Sequence, residues 1–98
     1  MENIVYNELI YLGYEVFAGK TRNSEINFVA KKDGITNYIQ VIYEMYHNES
    51  AIEREFGAFK TIDDNYPKYV ISLDKVNMSP DGINHINLID FLLNENLD

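Results

Sequence analysis

The chain contains no cysteine and no tryptophan, only two prolines, and half as many cations as anions. Without cysteine there is no disulfide framework, no thiol nucleophile and no thiolate metal site. No apolar run approaches the ~20 residues that a membrane-spanning helix needs. The opening stretch from Met1 to Glu8 lacks the basic start and apolar stretch of a secretory leader. Eight Lys+Arg against sixteen Asp+Glu give a net charge of −8 over 98 residues, so a phosphate backbone would be repelled overall. Glycines are few and isolated, which leaves out a phosphate-cradling loop of the Walker type. No nucleophile-elbow motif supports serine catalysis.

What is present is apolar: 46% of residues are hydrophobic and 13% aromatic, ample for one core. Residues 1–98 are therefore read as a single acidic domain, expected in the cytoplasm. Val5, Leu9 and Leu12, widened by Ile4, give the stripe of a first helix over 2–12 that Gly13 stops. Tyr6, Tyr11 and Tyr14 read as its packing rim. Strand-like segments follow at 14–18, 25–30 and 36–43, the last two joined by Asp33-Gly34, a strong hairpin signal. Ile26 and Phe28 are expected on one face of the middle strand, with Glu25, Asn27 and Val29 on the other. The 36–43 segment is apolar on both faces except at Gln40, which places it centrally.

Ser50 and Glu53 have the spacing of a capping box, opening a second helix with the stripe Ile52, Phe56, Phe59 and Ile62. Pro67 ends that region. A buried strand over 69–73, a polar loop over 74–82, a short strand over 83–86 and a final helix capped by Asn87 complete the chain. The order α-β-β-β-α-β-β-α predicts a mixed α/β sandwich, with one parallel pair across the central helix on an otherwise antiparallel meander.

Candidate chemistry is sparse. His47, near Glu44 and Glu49, and His85, in or beside the last strand, lack the i, i+3 or i+4 partners of a metal site. They read as a solvated loop residue and a hydrogen-bonded strand residue. A more informative pattern is Glu25-Ile26-Asn27 followed, a hairpin later, by Gln40-Val41-Ile42. Metal-dependent nucleases place carboxylates and a lysine in this geometry to hold Mg²⁺ and activate water. Here Asn27 and Gln40 are neutral amides and Ile42 has no ammonium, which leaves Glu8 and Glu25 as the acids nearby. Gln40 then reads as a strand residue satisfied by hydrogen bonds.

The motifs Glu2-Asn3-Ile4-Val5-Tyr6-Asn7-Glu8-Leu9, Gly13-Tyr14-Glu15-Val16, Glu25 to Ala30, Tyr38-Ile39-Gln40-Val41, Arg54-Glu55-Phe56, Asp64 to Val70, Asp81-Gly82-Ile83 and Asp90-Phe91-Leu92-Leu93 occur in order along the chain. Together they resemble the C-terminal domain of unknown function found behind the ATPase core of bacterial and archaeal AAA+-type ATPases. That domain is similar to the restriction-endonuclease-like PD-(D/E)xK fold, so the resemblance implies an α-β-β-β-α-β core with a mixed sheet flanked by helices. It puts Glu8 at the first-helix acid, Asn27 at the metal-binding Asp, Gln40 at the acid of the E-x-K element and Ile42 at its Lys. Gln and an apolar residue are common in the family at the last two positions, whereas Asp is usual where this chain has Asn27.

The expectation is therefore a degenerate nuclease-like fold with no catalytic residue, no metal and no cofactor. Its role would be protein–protein: docking on an ATPase core in cis or trans, or forming a homo-oligomer, with neither nucleic acid nor membrane as partner. The alternative is a DNA-binding or residual metal-dependent nuclease domain, using a local basic patch of Lys20, Arg22, Lys31 and Lys32.

Overall fold

A computed structural model describes residues 1–20, 25–45, 49–60, 62, 64–75, 82–94 and 97, leaving the side chains of Ala51 and Asn94 aside. Its elements are α1 (Glu2–Tyr11), β1 (Glu15–Lys20), β2 (Glu25–Lys32), β3 (Ile35–Val41), α2 (Glu49–Phe59), β4 (Lys68–Ser72), β5 (Asn84–Asn87) and α3 (Leu88–Asn94). The strands form one mixed sheet in the order β1-β2-β3-β4-β5. β1–β2 and β2–β3 are antiparallel, while β3–β4 and β4–β5 are parallel. This is an α/β fold with helices against both faces of the sheet.

Local chemistry accounts for most of the boundaries. Past α1, the Gly13 amide donates to Ile10 O and the Tyr14 amide to Leu9 O, with Gly13 at φ 93°. That is a Schellman stop, which only a residue free to adopt positive φ closes without strain. Asp33 and Gly34 both take positive φ, 53° and 79°, as a two-residue hairpin turn with right-handed strand twist demands. Asn87 ends β5 and caps α3, its Oδ1 accepting from the amides of Ile89 and Asp90 at 2.9 and 3.2 Å.

β3 is central, as its two apolar faces require. Ile39 and Val41 join Val5, Leu9, Ala30, Tyr69, Ile71 and Phe91 under α1 and α3. Ile42 joins Ile26, Met45, Ala58, Phe59 and Val70 under α2.

Four expectations are corrected. β1 runs on through Gly19 and Lys20 and does not stop at Ala18 before a loop. Phe17 pairs with Val29 but Gly19 with Ile26, so β2 carries one extra residue there. This bulge reverses the alternation: Ile26 faces α2 together with Val29, while Phe28 packs toward α1. At the bulge a Cβ on Gly19 would lie 2.8 Å from Val29 Cγ2 and 3.0 Å from Ile26 Cβ, so glycine is the residue that fits. α2 begins at Glu49, placing Ser50 inside the first turn and not at the cap; the residues before Glu49 lie outside those described. Finally, β5 runs parallel to β4, because the eleven residues 73–83 are enough to carry the chain back to the same end of the sheet.

Candidate functional site

Asn27 and Gln40 do meet, at the point where β2 and β3 part. The β2–β3 ladder ends at Phe28 opposite Ile39, so the next pair would be Asn27 and Gln40. In place of backbone pairing, the two side-chain amides take over. Gln40 Oε1 accepts from the Asn27 amide at 2.6 Å, and Asn27 Oδ1 accepts from the Val41 amide at 2.8 Å. Gln40 Nε2 donates to two main-chain carbonyls, Glu25 O at 3.1 Å in β2 and Glu55 O at 3.2 Å in α2. Asn27 Nδ2 reaches Glu2 Oε1 of α1 at 3.2 Å. Gln40 is fully buried, so the bonds of its side chain satisfy groups that would otherwise stand desolvated.

The chemistry fits amides and not carboxylates. The Nε2 group of Gln40 faces two carbonyl oxygens, and a carboxylate oxygen there would face the same two with no proton to offer. The pair ties β2, β3, α1 and α2 across the bulge.

The other two positions that the resemblance singled out, Glu8 and Ile42, make no bond to this pair. Ile42 is buried in the apolar cluster under α2. Glu8 lies on α1, and the acid of that helix that reaches Asn27 is Glu2. Glu25 contributes its carbonyl, and its side chain is exposed. Of the loop candidates, Glu44 and Glu49 are exposed and His47 lies outside the described residues. Among the described residues no three of His, Asp and Glu are grouped so that they could hold a metal ion. The described lysines of the basic patch are dispersed: Lys20 pairs with Glu25 at the other end of β2 from Lys31, Lys31 sits over the Phe17 ring, and Lys32 sits over Tyr14 while donating to Leu12 O at 2.7 Å. Neighbours in one strand, they leave on opposite faces. Arg22 lies outside the described residues.

A second polar group was not legible in the sequence beyond the strand histidine. Ser72 Oγ lies 2.7 Å from His85 Nε2 and 2.7 Å from Asp74 Oδ2, and the same Asp74 oxygen accepts from the Met45 amide at 2.8 Å. With the hydroxyl donating to the carboxylate, Ser72 accepts from His85, which sets the imidazole as the Nε2–H form. A serine nucleophile needs its acid behind the histidine and its oxygen open to substrate. Here the acid holds the serine, and Ser72 is fully buried. The relay fastens His85 of β5 to the carboxyl end of β4 and to the segment after β3. Burial pushes the His85 imidazole below its ordinary value, against the pull of Asp74.

At the surface, Tyr38 donates to Asp64 Oδ2 at 2.6 Å, and this bond, with burial, pushes its phenol up to about 12. Asp64 also accepts from the Tyr66 amide and Lys68, latching the α2–β4 connection onto β3.

An uncharacterized protein of Haemophilus influenzae is 37% identical over 94 residues, covering 95% of this chain but 22% of that protein. The chain thus spans about a fifth of the length of the relative it matches. No family model matches, and no solved structure matches.

Proposed function

We propose that this domain is a non-catalytic accessory domain of an AAA+-type ATPase, a nuclease-like α/β fold whose former metal positions have become structural. The observation that carries the reading is the Asn27–Gln40 pair. Two amides stand where the resemblance puts the strand carboxylates, and each side-chain polar atom of Gln40 is bonded to main chain. A divalent ion needs anionic oxygens facing one point, and this pair offers none. The Haemophilus relative also fits, because the match there is a small part of a much longer protein. The link to an ATPase rests on the ordered motifs from Glu2 to Leu93, and fold likeness alone would carry no activity.

The test is to purify the full-length Haemophilus protein and measure ATP hydrolysis, with this 98-residue chain assayed alongside. Hydrolysis by the longer protein, with neither ATP binding nor plasmid nicking in Mn²⁺ by this chain, is the expected result. A long protein that neither binds nor hydrolyses ATP contradicts the ATPase reading. Nicking by this chain that Gln40→Ala abolishes would favour the nuclease alternative.

A further inference from the structure

The two helical layers differ in what they show to the outside. Among the described residues, six of the ten exposed large apolar side chains lie on α1 and α3, and none lies on α2. Tyr6 is one of the six, and it retains a ring contact with Phe28. Ile4, Ile10 and Tyr11 of α1 and Ile89 and Leu93 of α3 stand outward, Tyr11 and Leu93 being 77% and 73% exposed. Both helices rest on one apolar cluster against the same face of the sheet, so their outer sides belong to one surface of the domain. Single exposed apolar residues are ordinary, whereas a group on one layer of so small a domain marks a contact surface.

The charge on this layer selects the occupant. α1 carries Glu2 and Glu8 and α3 carries Asp90, neither helix contains a Lys, Arg or His, and Lys32 lies at the edge, donating to Leu12 O at the end of α1. A second copy would bring acid against acid and another net −8. An anionic lipid surface or nucleic acid would be repelled in the same way. We infer that the α1/α3 layer is the docking face for a protein surface that is apolar at its centre and rimmed by Lys and Arg. Resting on the reading above, that surface belongs to the ATPase core of the longer protein. Apolar burial then supplies the affinity, and the acids set orientation and exclude like-charged competitors.

The face can be tested on this chain as it stands. The probe is an amphipathic helical peptide of Leu and Lys, with a Leu/Glu peptide of the same pattern as control, mapped by amide chemical shifts. α2 provides the internal control, because it bears exposed Glu49 and Glu53 without exposed large apolar neighbours. Shifts confined to α1 and α3 with the Leu/Lys peptide, and none with Leu/Glu, are expected. The double variant Tyr11→Lys, Leu93→Lys should weaken binding about tenfold or more while leaving the unbound spectrum folded.

Shifts spread equally over α2 would reduce the effect to charge alone and overturn the inference, as would no binding. Concentration-dependent shifts at Tyr11 and Leu93 without peptide would assign the face to a second copy and overturn it too. Absence of ATP hydrolysis by the Haemophilus protein would remove the ATPase reading while leaving this map intact. A failed map beside active hydrolysis would remove only the docking face.

Discussion

The face of the sheet under α2 and the face under α1 and α3 solve the same packing problem with different materials. Under α2, Gln40, Ser72 and His85 are buried among apolar residues, each hydrogen-bonded to main chain or to another side chain. Under α1 and α3, the core is almost wholly aliphatic and aromatic, from Val5 and Leu9 to Ile71 and Phe91, with Asn37 as the buried polar residue. The outer surfaces reverse this: α2 is polar outside, and the α1/α3 layer is apolar outside. Polar groups inside a face fix which strands and loops meet, because each must find its partner. Apolar groups outside a face leave something to be covered. Among the described residues the first face is closed within the domain, and the second is the one we propose to meet another surface.

Substitutions can separate the two. Phe91→Ala removes a fully buried ring from the all-apolar face and should cost about 3–5 kcal/mol in urea melts, the largest effect expected. A loss below 1 kcal/mol would mean that the α3 side of this core is dispensable. Next comes Asn27→Ala, which strips the Val41 amide of its acceptor at the bulge and should cost about 1–3 kcal/mol. If instead it is neutral, water replaces the amide and the pair is no clasp.

A pH series examines the relay on the α2 face. His85 has its folded value depressed below the unfolded value of about 6.5. The fold therefore favours the neutral ring, so stability is full above that pH and declines as pH falls through the lowered value. Urea midpoints between pH 8 and 5 should fall for the wild type and flatten in His85→Gln. Identical profiles would exclude His85 as the source. The smallest effect is expected for Ser50→Ala, which lies exposed inside the first turn of α2 and should change stability by less than about 0.5 kcal/mol. A loss as large as a lost cap would restore the capping box.

The elements that were legible share a local cause. The Gly13 stop, the Asp33-Gly34 turn, the Asn87 cap and the two-faced apolar run of β3 are each written in a few neighbouring residues. What escaped depends on partners far along the chain. The extra residue in β2 has no mark of its own, and it sent Ile26 and Phe28 to opposite faces. Ile4 reads as core by spacing, yet it is 48% exposed, because α1 is apolar around most of its girth and only packing selects the buried side. The Ser72–His85–Asp74 relay joins residues from β4, β5 and the turn between them, with no spacing to announce it. At the candidate site, the residue types gave Asn27 and Gln40 as a non-metal pair, and their position on adjacent strands was correct. That the acid of α1 which meets Asn27 is Glu2 follows only from how α1 packs.

The central claim is that Gln40 is held by what its amide donates, and Gln40→Glu tests it most directly. At pH 7 the new carboxylate would face the Glu25 and Glu55 carbonyl oxygens without a proton. Burial would raise its folded value above the ordinary ~4.3, so the penalty is largest at neutral pH and eases as the solution is acidified. The account predicts a loss of about 3 kcal/mol at pH 7, partly recovered toward pH 5 and unchanged by Mn²⁺. A variant as stable as wild type at pH 7, and further stabilised by Mn²⁺, would contradict it and mark position 40 as a metal site lacking only its acid.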